Sequence, residues 1–179
     1  MTTATETLES VARKIGSAMA RDTIADNLSR EWTGLTAEDV DQIPEGMDVE
    51  EVERLAQDAY DEAIELAEVT AVLLSHGEMF HGGNPADLAQ DWIDHDFDAD
   101  EVDRWCLIGC WDASTAADFR DTGLSPRRVK EVAKEMAEGQ DDYPLNDPIY
   151  AVCNNDLNLE KILEAASEGS KWAGSSDTA

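Results

Sequence analysis

Apolar side chains recur at intervals of three and four residues along most of the chain, and no convincing stretch alternates with period two. This spacing is typical of amphipathic helices. It predicts two helices, or one kinked helix, before Gly34, and then a short helix between Thr36 and Pro44. The first apolar group consists of Leu8, Val11, Ile15, Met19, Ile24, Leu28 and Trp32.

The strongest amphipathic pattern predicts a long helix over residues 49–75. Asp48 is a suitable N-cap, Glu51 stands at the third helical position, and Gly77 provides a stop. Most acidic residues of this segment lie outside the apolar stripe. The stripe consists of Val52, Leu55, Ala59, Ala63, Leu66 and Leu73.

A repeat with a period of 13 or 14 residues follows. Each unit has a capping residue and a small residue or proline, then an apolar residue at the fifth position and, in the first three units, an aromatic residue near the eighth. One short helix cannot bury Trp92 or Trp105 alone, so the units are expected to stack. Residues 84–133 resemble the short Trp-containing helical repeats of bacterial and mobile-element proteins. The units begin at Asn84, Asp98, Asp112 and Ser125.

These patterns predict an all-α fold with a helical N-terminal lobe and a lobe of stacked helix-turn repeats. Asp147 and Pro148 are expected to start either a short helix or an extended segment through Cys153, and Asn158 is expected to cap a last helix. The predicted organisation is an acidic helical lobe at 1–78, tandem repeats at 84–139, a C-terminal helical segment at 140–168 and a flexible tail at 169–179.

Motifs for catalysis are missing from the sequence. It contains no Gly-x-Ser-x-Gly elbow, no His-Glu-x-x-His zinc motif and no glycine-rich phosphate loop. Carboxylate pairs are so abundant that their spacing is not evidence for acid–base chemistry. We therefore expect a protein that is not an enzyme and has no cofactor.

Two metal sites are conceivable but disfavoured. Residues 94–100 resemble a calcium loop, yet Ala99 and Trp105 replace the required glycine and glutamate; a turn between two helices explains the same residues. Cys106 and Cys110 are four residues apart, but their apolar surroundings favour buried thiols that act as small hydrophobes. A zinc site there would need further ligands from His76, His81, His95 or Cys153.

Charge is the dominant feature of the composition. The 179 residues include 41 acids and 13 Lys or Arg, for a net charge of −28. Residues 38–103 hold 22 of the acids and one base, Arg54. Such a chain cannot gain affinity by neutralising phosphates, so direct binding to nucleic acid or to an anionic membrane is not expected.

The sequence also indicates a cytoplasmic protein. Its N-terminus lacks the basic and apolar regions of a secretory signal, and the longest uncharged apolar stretch, residues 69–75, is too short for a bilayer. Three cysteines, an odd number, suit reduced thiols. The basic segment 120–134 is expected to pair with the acidic lobe or to form a contact between copies, so a homodimer is possible.

In general character the chain resembles the acidic DNA-mimic inhibitors that phages and plasmids use against restriction and CRISPR enzymes, which are small and lack catalytic motifs. The resemblance implies a partner that is a basic nucleic-acid-binding protein or complex. It also implies that acids between Glu38 and Asp103 form the binding surface. The best candidates are Glu50, Glu51, Asp58, Asp61, Glu62, Glu65, Glu68, Asp87, Asp91, Asp94, Asp96, Asp98 and Asp100.

Two other interpretations stay open. High intracellular salt selects acidic surfaces with few lysines, which would make this a helical adaptor of a halophile that binds its partner through the repeat lobe. The third interpretation is an acidic chaperone for basic proteins. Salt adaptation should place an excess of acidic residues in every exposed segment, whereas residues 1–37 carry five acids and four bases.

Overall fold

A computed structural model shows that the protein is built from α-helices, which confirms the predicted fold class. The described residues contain no strand. They are 7–26, 28, 31–76, 83–138, 147–153 and 157–168. Their helices are α1 (Leu8–Ala25), α2 (Ala37–Val40), α3 (Val49–Ser75), α4 (Pro85–Asp94), α5 (Ala99–Cys106), α6 (Ala113–Asp121), α7 (Pro126–Ala137), α8 (Pro148–Cys153) and α9 (Leu159–Glu168).

The chain divides into two compact units after Thr70, within α3. The first, unit 1, contains α1, α2 and most of α3. The second, unit 2, contains the end of α3 and all later helices.

Helix α1 begins where Thr7 caps it, because the Thr7 hydroxyl accepts a hydrogen bond from the Ser10 N–H at 3.2 Å. The helix ends at Ala25, so the prediction of helical structure up to Gly34 is wrong for its last part. Leu28 has a left-handed φ of 58°, and Trp32 lies outside any helix. Trp32 packs against the core of unit 1 from an irregular segment, so its helical spacing in the sequence is not a helical position in the structure.

The core of unit 1 lies between α1 and α3. Partly buried apolar side chains from α1, α3 and the connecting segment surround it. Thr36 caps α2 as predicted, and Asp48 caps α3 by accepting hydrogen bonds from the N–H groups of Glu50 and Glu51. The buried residues of the core are Val11, Ala12, Ile15, Val52 and Ala56.

The buried line of α3 differs from the predicted stripe. Tyr60 is buried, whereas Leu55 and Ala59 are only partly buried. The Tyr60 hydroxyl donates to Thr23 Oγ1 at 3.1 Å, and its ring lies 5.3 Å from that of Trp32. A buried hydroxyl needs such a partner, and Thr23 supplies it from α1.

The four repeat units in unit 2 are confirmed at the level of their helices. Each of α4 to α7 starts directly after the predicted capping residue, whose side chain accepts a backbone hydrogen bond. Trp92 and Phe97 pack edge to face with their ring centres 5.1 Å apart, and Trp105 and Phe119 stack with their ring centres 5.9 Å apart. All four rings are buried. Trp105 and Phe119 belong to successive repeat units, whereas Trp92 and Phe97 belong to one unit.

The C-terminal helices α8 and α9 pack against α7. Asp147 caps α8 through the Tyr150 N–H at 3.1 Å, and Asn158 caps α9 through the Glu160 N–H at 2.9 Å. The predicted helix start at Asn158 is therefore confirmed, and of the two structures expected after Asp147 the chain adopts the helix. The predicted stop at Gly77 and the predicted tail at 169–179 lie outside the described residues.

Candidate acidic interface

One row of carboxylates runs along the exposed side of α3 in unit 1; we call it the α3 acidic stripe. On a helix of about 3.6 residues per turn, its members fall within about a third of the circumference. Val52, Ala56 and Tyr60 lie on the opposite side and are buried. Because that side of α3 faces the core, the carboxylates face away from it. The stripe consists of Glu50, Asp58, Asp61, Glu62, Glu65 and Glu68, all of which are exposed.

The charge density of this stripe can be compared with that of nucleic acids. A rise of about 1.5 Å per residue puts Glu50 and Glu68 about 27 Å apart along the axis, with one carboxylate per about 5 Å. Duplex DNA carries one charge per about 1.7 Å of axis, and each of its strands one per about 3.4 Å. The stripe by itself is closer to a single strand than to a duplex.

Basic residues make the electrostatic potential at the N-terminal half of the stripe less negative. Arg54 binds Glu51 at 2.8 Å and Asp58 at 2.9 Å. The hydrogen bond from Arg54 lowers the pKa of Glu51. Arg13 shares a surface depression with Asp58 and Glu62. The C-terminal half is therefore the most negative part of the stripe.

A second set of acids lies in unit 2. Asp87, Asp91 and Asp94 are four and three residues apart, which places them on one face of α4. All three are exposed. The Asp94 carboxylate accepts a hydrogen bond from Gln90 Nε2 at 2.8 Å.

The turn between α4 and α5 continues this acidic set. Asp96 adopts a left-handed φ of 57°, and Asp98 caps α5 by accepting from the Glu101 N–H at 2.8 Å. Asp96, Asp98 and Asp100 are exposed. Of the carboxylates that suggested a calcium loop, Asp94 and Asp98 instead form local hydrogen bonds at the end of α4 and the start of α5.

Arg120 secures the same turn from α6. Its guanidinium donates to the carbonyl oxygens of His95 at 2.8 Å and Asp96 at 3.1 Å. It also lies 4.1 Å from the centre of the Phe97 ring, a cation–π contact. One base of the segment 120–134 therefore lies at the acidic turn, where it binds backbone carbonyls.

The predicted site residues consequently form two sets, one in each unit. Residues 50–68 share a face of α3, and residues 87–100 follow α4 and the turn after it. Twelve of the thirteen are exposed, and Glu51 is partly buried.

The sequence did not reveal that one acid of the central segment is paired with a histidine. His76 Nε2 lies 2.8 Å from Asp103 Oδ1, and the His76 side chain is 15% exposed. The centre of the imidazole ring also lies 5.6 Å from the centre of the Trp111 ring, in an edge-to-face arrangement. No local motif signals a pair that is 27 positions apart.

Cys106 and Cys110 are buried free thiols, as predicted, and Cys153 is a partly buried free thiol. Burial, with a smaller contribution from the Asp103 carboxylate, raises the pKa of Cys106 to about 12. In the part of the chain that the structure describes, no three His, Cys, Asp or Glu side chains come together as a metal site would require. His81 lies outside that part.

Comparison of the chain with protein-family models, with curated proteins and with solved structures finds no match. Among the described helices, none combines the length and the apolar character that crossing a bilayer requires. The two acidic sets are the most prominent chemical feature of the described surface.

Proposed function

We propose that this protein is a non-enzymatic inhibitor that occupies the nucleic-acid-binding groove of a basic partner, as anti-restriction and anti-CRISPR DNA mimics do. The observation that carries the proposal is the α3 acidic stripe, a row of exposed carboxylates on one face of a helix. The acids of α4 and the turn after it provide a second contact of the same sign.

Long-range electrostatics explain how such a surface would act. A groove that attracts nucleic acid has a positive potential, and the same potential accelerates encounter with another polyanion. The stripe is also preorganised, because the opposite face of α3 is packed into the core of unit 1. Binding therefore does not have to order the backbone of α3, although the exposed side chains still lose rotamer freedom.

The density of the stripe favours one type of groove. One charge per about 5 Å fits the spacing of a single strand better than that of a duplex. The preferred partner is therefore a protein or complex that holds a single strand of DNA or RNA in a basic channel.

Competition for nucleic acid tests the proposal. Guide-loaded CRISPR effectors and restriction enzymes, each bound to fluorescent DNA, are titrated with this protein. We expect displacement from at least one of them, with an affinity that falls steeply as salt increases. If the protein displaces DNA from none of them, the proposal is rejected for these partners.

Matched variants locate the effect. In the test variant, Asp61→Asn, Glu65→Gln and Glu68→Gln remove three charges of the stripe. At about 0.5 kcal/mol per contact, their loss weakens inhibition about tenfold. The control variant removes three exposed acids elsewhere through Asp118→Asn, Asp121→Asn and Glu138→Gln. Equal losses in both variants would contradict a specific role for the stripe.

Acids exposed outside the two sets support a second candidate function. Asp112, Asp118 and Asp121 are exposed on the α6 side of unit 2, as adaptation to high salt would require. In that case the protein is a helical adaptor, and its acids serve hydration. A fold that loses helicity when salt is removed would favour this candidate over mimicry.

A further inference from the structure

An open groove in unit 2 differs in chemistry from the rest of this acidic chain. It has a volume of about 790 Å³ and lies between the C-terminal end of α5, the turn before α7 and the first residues of α7. A volume in this range is typical of binding sites. Its apolar surface is contributed by Trp105, Leu107, Ile108, Leu124 and Pro126.

Leu107 is the most exposed large apolar side chain among the described residues. Its relative accessibility is 61%, although it directly follows the buried residues Trp105 and Cys106. A leucine that is this exposed gains little from folding, whereas an apolar ligand group that covers it would remove further apolar surface from water, which is favourable. The groove therefore offers an apolar anchor point.

Basic residues surround this anchor point. Arg104, Arg127 and Lys130 line the groove and are exposed. Of the lining residues that the structure describes, Glu101 is the one acid, and it is partly buried. Within the described parts of the chain, no carboxylate forms an ion pair with Arg104 or Lys130. Arg120 also lines the groove, but its guanidinium is already bound to the α4–α5 turn.

The position of two of these bases is unfavourable for the helix that carries them. Arg127 and Lys130 lie near the N-terminus of α7, whose first turn contains no acid. The helix dipole disfavours positive charge there and favours an anion. Glu131 offsets part of this effect by binding Arg127 at 3.1 Å. An anionic group bound in the groove would offset the rest.

We propose that this groove binds an acidic amphipathic peptide of a partner protein, with an apolar side chain against Leu107 and carboxylates against Arg104, Arg127 and Lys130. Charge complementarity selects this occupant, since four bases and one acid of the described residues line the groove in a chain whose net charge is −28. The peptide follows the helix-in-groove mode, in which apolar anchors recur at three and four residues. The site lies in unit 2, and its existence does not depend on the function proposed for the α3 acidic stripe.

A random peptide library displayed on mRNA provides an unbiased probe. A protein with a net charge of −28 enriches basic peptides by default, so enrichment of acidic peptides with spaced leucines would be specific evidence for the groove. Enrichment of basic peptides alone would overturn the proposal.

Variants then locate the binding of the strongest acidic peptide, measured by fluorescence anisotropy. We expect Leu107→Ser, and separately the double variant Arg127→Gln with Lys130→Gln, to weaken it at least tenfold. Leu74→Ser and Lys161→Gln change an exposed leucine and an exposed lysine outside the groove, and they should leave the affinity within a factor of two. Equal affinity in all variants would overturn the proposal.

Sedimentation separates this occupant from a second copy of the chain. We expect a monomer at the concentrations used for peptide binding. A dimer that Leu107→Ser dissociates would show that the groove binds another copy, and would overturn the assignment to an acidic peptide.

Discussion

The Sγ atoms of Cys110 and Cys153 lie 3.8 Å apart, although the two residues are 43 positions apart in the sequence. Cys110 is fully buried, and Cys153 is partly exposed at the end of α8. The Cys110 thiol and, to a smaller extent, the backbone N–H groups of Trp111 and Asp112 lower the pKa of Cys153. The same pairing, together with burial, raises the pKa of Cys110.

This arrangement predicts selective alkylation. The thiolate is the reactive form of cysteine, so iodoacetamide near neutral pH should modify Cys153 before Cys106 and Cys110. Peptide mass spectrometry measures the order, and the denatured protein, in which all three react, is the control. Modification of Cys106 at the rate of Cys153 would contradict it.

Burial of Cys106 also predicts a dependence of stability on pH. Its pKa rises from 9.0 to about 12 on folding. Above pH 9 the unfolded thiol loses its proton while the folded thiol keeps it, so the unfolded state binds fewer protons. The free energy of unfolding then falls with rising pH, by at most about 1.4 kcal/mol per pH unit from this group.

The measurement compares urea unfolding of the wild type and of Cys106→Ala at about pH 8 and about pH 10.5. Other groups titrate equally in both proteins. The stability advantage of the wild type should therefore shrink at the higher pH. An unchanged difference would mean that Cys106 does not titrate as described.

Close packing of α1 on α3 predicts that a larger residue at Gly16 lowers the free energy of unfolding. A Cβ at Gly16 would overlap the carbonyl oxygen of Ala56 and approach the Ala59 side chain to 3.1 Å. Helix propensity alone favours alanine by about 1 kcal/mol, but separation of the helices costs more. We expect Gly16→Ala to lower the free energy of unfolding by about 2 kcal/mol.

The control is Ser10→Ala, an exposed position of the same helix, which should change stability by less than about 0.5 kcal/mol. Urea titration with circular dichroism gives both values. A Gly16→Ala variant that is more stable than the wild type would exclude the close contact.

The capping role of Asp98 predicts a loss of stability in Asp98→Ala of about 1 kcal/mol, since the Glu101 N–H loses its acceptor. Asp91→Asn, on the exposed face of α4, is the control and should cost less than about 0.5 kcal/mol. Thermal unfolding measures both. Calcium should leave the melting temperature of the wild type and of both variants unchanged. If calcium raises the melting temperature of the wild type but not that of Asp98→Ala, the calcium-loop interpretation is restored.

Local features were predicted well because they depend on neighbours within four positions. Asn84, Asp98, Asp112 and Ser125 are each followed directly by a helix, as a capping residue before a short apolar pattern implies. The exposure of the acids on α3 and α4 follows from the same periodicity. The end of α1 was misjudged because Leu28 and Trp32 have helical spacing without helical conformation.

What the sequence determined by itself was the helices, their caps and the excess of acidic side chains, since each of these reflects local hydrogen bonding or composition. Tertiary structure decided that Tyr60 belongs to the buried face of α3, where it bonds Thr23, and which acid meets His76. It also brought Arg127 and Lys130 of α7 to the groove that Leu107 lines. These contacts join residues that are far apart along the chain, so no local pattern could show that packing would bring them together.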